Sequence, residues 1–104
     1  MSTPEINNSA DFFRMLEGTT AEIDALVTRE PAYPVWRQIQ QQLHAMQAWS
    51  ANGITPTLEQ QGRVRVGLIA TRELAPPPDA AMEDLITRLN LLQYAWNNWP
   101  PTPA

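Results

Sequence analysis

The sequence predicts an all-α protein: a single-domain antiparallel bundle of four helices, or five if Gly18 splits the first. Three observations lead there. Apolar residues recur at three- and four-residue steps in every segment, with no sustained period-two alternation. Prolines and glycines cut the 104 residues into four such segments. The links between them are short, which favours antiparallel neighbours around one core. A chain of this length is one domain and hides roughly two thirds of its unfolded surface on folding, so it needs no disulfide or metal staple.

The spacing predicts a first helix from about Ser9 to Arg29, with Phe12, Leu16, Thr19, Ile23, Leu26 and Val27 on one stripe. Ser9 or Asp11 can cap it, and Gly18 weakens its middle by roughly 1 kcal/mol relative to alanine or divides it. Pro31 and Pro34 end it. The second helix runs from Pro34 to Asn52, since proline is tolerated in the first turn. Its inner stripe is Trp36, Ile39, Leu43, Met46 and Ser50, with Val35 and Trp49 at the edges, and Asn52-Gly53 supplies a left-handed close. Thr57 and Gln60 form a capping box for the third helix, whose expected inner stripe is Leu58, Gln61, Val64, Leu68, Thr71 and Leu74, with Gly67 beside it. Prolines 76–78 stop it. Asp79 caps the fourth, which carries Met82, Leu85, Ile86, Leu89, Leu92, Gln93 and Trp96 and ends at Asn97 and Asn98. Residues 1–8 read as a flexible N-terminus, 9–99 as the helical domain and 100–104 as a disordered proline-rich tail.

Composition narrows the function. With no cysteine and one histidine, His44, the chain has no thiolate nucleophile, Cys-based metal site or multi-His site. Its serines lie in no strained nucleophile turn, and Gly62 and Gly67 fall inside a helical pattern rather than a phosphate loop. Neither an enzyme nor a cofactor is expected. All seven basic residues are arginine, against eleven acids, for a net charge of −4. A chain with no basic stripe is a poor match for nucleic acid, and a basic protein partner suits its sign better. No segment reaches the ~20 apolar residues of a membrane span, and the N-terminus lacks a secretory signal, so the expected compartment is the cytoplasm.

The acids concentrate in the first and fourth helices: Asp11, Glu17, Glu22, Asp24 and Glu30, then Asp79, Glu83 and Asp84. If those helices are neighbours, the acidic face is continuous. Trp36 and Trp96 fall on inner stripes. Trp49 and Trp99 lie at helix ends, where an aromatic either closes the core or anchors a partner.

Several short motifs carry a likeness. Tyr33-Pro34 leads into the second helix and Gln42-Leu43 lies within it. Gly67-Leu68-Ile69-Ala70-Thr71-Arg72-Glu73-Leu74 fills the third, while Asp79 and Tyr94 mark the fourth. Over roughly residues 20–96 the chain resembles the small all-helical immunity proteins of type VI secretion that neutralise NAD(P)+ glycohydrolase effectors. The longer N-terminus, the Gly53–Pro56 turn and the tryptophan-rich end depart from that pattern. The resemblance implies a non-enzymatic inhibitor that binds the catalytic domain of a cognate antibacterial toxin in the cytoplasm and blocks substrate access. The alternatives are immunity to a different nucleotide-modifying toxin, or a helical adaptor or chaperone that does not inhibit. Charge and exposure, rather than the motifs, single out Glu17, Glu22, Asp24, Trp49, Glu83 and Asp84 as partner contacts. The sequence leaves homo-oligomerisation open.

Overall fold

Asn8 starts the fold. Its side-chain oxygen accepts the Asp11 N–H at 2.8 Å, so it takes the capping role expected of Ser9 or Asp11. Helix α1 then runs unbroken over Ser9–Arg29 in the computed structural model, which describes residues 5–101. Gly18 does not divide it. Phe12, Leu16 and Ile23 are buried on one face, and burying such side chains contributes roughly 1.5–3 kcal/mol each, more than one mid-helix glycine costs.

Helix α2 spans Pro34–Trp49, with proline in its first turn. It stops short of the expected Asn52: the Ser50 hydroxyl donates to the Met46 carbonyl at 2.6 Å, and a 3-10 turn follows at Ala51–Gly53. Asn52 (φ 61°) and Gly53 (φ 75°) adopt the left-handed conformation these two residue types accept most readily.

The expected third helix is two helices. Both halves of the Thr57–Gln60 capping box form at the start of α3, Leu58–Arg63. Val64 is then extended (φ −95°, ψ 123°), and α4 begins afresh at Val66–Glu73. This break corrects the inner stripe. Each helical residue turns about 100°, so leaving the helix for Val64 and Arg65 resets the phase of everything after them. Val64, Val66, Gly67, Ala70 and Leu74 are buried. Leu58, Leu68 and Thr71, expected inside, are exposed. The fifth helix α5, Ala80–Asn97, starts where Asp79 accepts the Met82 N–H at 2.8 Å.

Cross-helix contacts fix the arrangement. Tyr33 and Gln42, in order along α2, meet Glu73 and Arg65, in reverse order on α4. Gly67 and Thr71 of α4 meet Gln93 and Asn90 of α5. Arg88 and Trp96 of α5 meet Glu22 and Phe12 of α1. Each of these pairs is therefore antiparallel, and the short link from α1 to α2 makes that pair antiparallel too. The staves α1, α2, α4 and α5 close a ring, with α3 folded over one end against α5.

One apolar cluster draws on α1, α2, α4 and α5. At one end Trp96 is fully buried. It lies against Phe12 (ring centroids 6.4 Å apart), Trp49 (6.4 Å) and Trp99 (5.9 Å). Its Nε1 donates to the Gln60 carbonyl at 3.2 Å, which ties α3 to the ring. Trp36, buried as expected, packs edge-on to Tyr33. Of the expected flexible terminus and tail, residues 1–4 and 102–104 lie outside the described residues. Ile6 packs on the core, and Pro101 is buried. Among the described residues, no helix is long and apolar enough to cross a membrane.

Candidate functional site

Of the acidic residues selected from the sequence, Glu22, Asp24 and Asp84 lie at two helix seams, and Glu17 and Glu83 stand exposed. At the α1–α5 seam, Arg88 donates to Glu22 and to Asp84, each at 2.7 Å, and to the buried Thr19 hydroxyl at 3.2 Å. Burial opposes the charge on this guanidinium, but the bonds to Glu22 and Asp84 outweigh it and raise its pKa. The two carboxylates thus flank one cation between the helices. Helices α1 and α5 are neighbours, yet Arg88 interrupts the acidic face between them.

At the α1–α2 seam, Asp24 accepts the Gln40 amide and contacts His44 Nε2, both at 2.9 Å. The Gln40 hydrogen bond lowers the pKa of Asp24; partial burial opposes this, and the His44 hydrogen bond and charge add to the lowering. Among the described residues no hydrogen bond joins a serine hydroxyl to this pair; the Ser50 hydroxyl donates to the Met46 carbonyl. Nor do the described residues hold a group of three or more His, Asp or Glu placed to bind a metal ion.

Glu17 and Glu83 are different. Both are exposed, and among the described residues neither forms an ion pair. Trp49 is half-buried and stacks on Trp96 at 26° between ring planes. Trp99 is also half-buried and meets Phe12 edge-on at 5.1 Å. Both tryptophans close the aromatic end of the core.

Tyr33, Gln42, Gly67 and Glu73 of the motif set gather elsewhere, along the α2–α4 and α4–α5 seams, while Tyr94 stands exposed. Helix α4 has no side-chain cap of its own. Instead its neighbours satisfy its first amides: Gln42 of α2 accepts the Arg65 N–H, and Gln93 of α5 accepts the Gly67 N–H at 3.4 Å. A Cβ at Gly67 would lie 2.9 Å from Asn90 Oδ1 and 3.0 Å from Gln93 Cβ, so glycine is what lets these helices approach. At the far end of α4, Tyr33 donates to the Glu73 carbonyl at 3.2 Å.

Two features escaped the sequence reading. Arg88 as a hub was half visible in its i,i+4 spacing from Asp84, but the Glu22 contact depends on tertiary register. The exposed set at α4, Arg65, Leu68 and Arg72, was hidden by assigning Leu68 to the core. The competing apolar set Val66, Ala70 and Leu74, also at four-residue steps, was the available signal.

Compared with protein-family models, curated proteins and solved structures, the chain matches none of them.

Proposed function

We propose that this protein is an immunity protein, which binds and occludes the catalytic domain of a cognate antibacterial type VI secretion toxin, in the first instance an NAD(P)+ glycohydrolase. The supporting observation is spatial. The residues that carry the resemblance are scattered through the sequence, yet several of them meet in the fold. Tyr33 bonds to Glu73, Gln42 to the Arg65 N–H just ahead of α4, and Gly67 lies against α5, the helix that Asp79 starts.

The proposed mechanism is steric. A closed ring of packed helices presents a surface that is ordered before the partner arrives, so little conformational freedom is lost on binding. Glu17 and Glu83 offer uncommitted carboxylates to a basic rim around the toxin's active-site mouth. Glu22, Asp24 and Asp84 add negative potential from fixed positions, and Trp49 gives an apolar edge at the aromatic end.

The test is capture of the partner with the tagged full chain from its source cells, followed by assay of NAD(P)+ hydrolysis by that partner as the chain is added back. Hydrolysis should fall to background near one equivalent. The double variant E17R/E83R should associate at least tenfold more slowly at low salt, with its melting unchanged. Reversing Glu22 and Asp24 is a poorer probe, because both also bond across helices. A partner that co-purifies but hydrolyses NAD(P)+ at full rate makes the chain an adaptor. Inhibition of a different nucleotide-directed activity keeps immunity and changes the toxin.

A further inference from the structure

We infer that the outer face of α4 is a second docking surface, which takes an acidic segment of a partner protein with an apolar side chain at its centre. This inference is independent of the immunity reading. Arg65, the residue that precedes α4, and Leu68 and Arg72 within it are all exposed, and the three line one cleft together. Among the described residues, Arg14, Arg63 and Arg88 have carboxylate partners, whereas Arg65 and Arg72, like Arg29 and Arg37, have none. Leu68 stands between them at 49% exposure.

Two clefts flank these residues. One, of about 320 Å³, opens between α3 and α5 beside Val64 and Gln93. The other, of about 240 Å³, lies toward α2 beside Gln38 and Ile69. Arg65 and Leu68 line both. Volumes this small sit at or below the low end of small-molecule sites and suit single side chains. Glu73 is the one carboxylate lining either cleft.

Charge complementarity selects the occupant. The two arginines stand at opposite ends of α4, about two helical turns apart in the chain, and each guanidinium matches a carboxylate in a two-pronged geometry. A fitting segment therefore carries two carboxylates about two helical turns apart, with an apolar residue between them to cover Leu68. A second copy of this chain fits poorly. A two-fold axis through the middle of this face would set Arg65 against the other copy's Arg72, and like charges oppose association. Nucleic acid fits poorly too, because two arginines on a chain of net charge −4 release few counterions.

The absence of lysine makes a direct test available. The probe is a synthetic fluorescent helical peptide with two glutamates seven residues apart and a leucine between them, compared with its glutamine counterpart. The full-length chain should bind the glutamate peptide at least tenfold more tightly at low salt. R65E/R72E should lose at least tenfold, and L68A should weaken binding as well. R65K and R72K each introduce the sole side-chain amine, so carbodiimide coupling to the peptide's carboxylates should exceed that of wild type and of R29K, whose site lies on α1. That coupling decides the matter even if R65E/R72E fails to fold. Equal binding of the two peptides, no binding of either, or equal coupling in R29K overturns the proposal. So does a dimer in sedimentation that R65E/R72E dissolves, or binding of a single-stranded DNA oligomer in place of the peptide.

Discussion

Arg88 ties α5 to α1 through Glu22 and Thr19 and bonds to Asp84 one turn back on its own helix, and its side chain is only 18% exposed. Truncating it removes the partner of the buried Thr19 hydroxyl and leaves Glu22 and Asp84 without their shared cation. Both carboxylates are more than a third exposed, so water takes over much of their solvation. R88A should therefore cost about 1–2 kcal/mol in urea unfolding at pH 7. R88M, which keeps the apolar stem over the seam, should recover part of it. Asp24 sets a pH dependence. Its carboxyl titrates below the usual 3.8, chiefly because Gln40 donates to it. A lowered native pKa contributes stability that is complete above the unfolded value and lost as pH falls through the native one. D24N should be less stable than wild type at pH 7, by about 0.5 kcal/mol for so exposed a carboxylate. The gap should start to narrow below about pH 4 and go on shrinking as the native carboxyl protonates, so it should be smaller at pH 3 than at pH 7 in unfolding measurements.

Helices α1, α2 and α5 were legible because each is long enough, at 21, 16 and 18 residues, for its apolar stripe to repeat over several turns. The third expected helix was not. Its two pieces hold only 6 and 8 residues, and a continuous pattern could be drawn straight through the break because Val64 is buried in either reading. Local chemistry was readable where it acts at short range: the Thr57–Gln60 box, the Asp79 cap and the Asn52-Gly53 turn are contacts within a few residues. Glycine separates element from packing. At Gly18 a methyl group meets nothing within 4 Å, so G18A should stabilise by about 0.5–1 kcal/mol through helix propensity alone. At Gly67 the same methyl presses on the backbone and side chain of Asn90, and G67A should cost about 1–3 kcal/mol as α4 moves off α5. Paired urea titrations of the two variants would show opposite shifts in midpoint at equal slope.

For the whole molecule, the sequence specified the antiparallel ring through link length and stripe direction, but not which carboxylates the ring would use up. Glu22, Asp24 and Asp84 read as a solvated acidic face in one dimension. Glu22 and Asp24 become struts only when α1 is set beside both α2 and α5, whereas Asp84 meets Arg88 within α5 itself. The core also behaves as one unit. Trp96 contacts residues of α1 and α2, and its backbone and ring nitrogen bond to α3. Secondary structure and the aromatic end should consequently be lost together. Far-UV circular dichroism and tryptophan fluorescence should trace superimposable urea transitions; separate midpoints would mean that the α3 end opens on its own.

Helix α4 is held entirely by its inner edge. Its amides end on Gln42 and Gln93, its glycine seats it against α5, and its last carbonyl receives Tyr33. Positions 65, 68 and 72 contribute no side-chain hydrogen bond or ion pair to that attachment among the described residues. With proline left out at 65, whose own N–H bonds to Gln42, they can therefore be randomised together without touching what keeps the helix in place, much as a printing block is recut while its mount stays fixed. A display library at these three positions on this scaffold would sample new specificities at nearly constant stability.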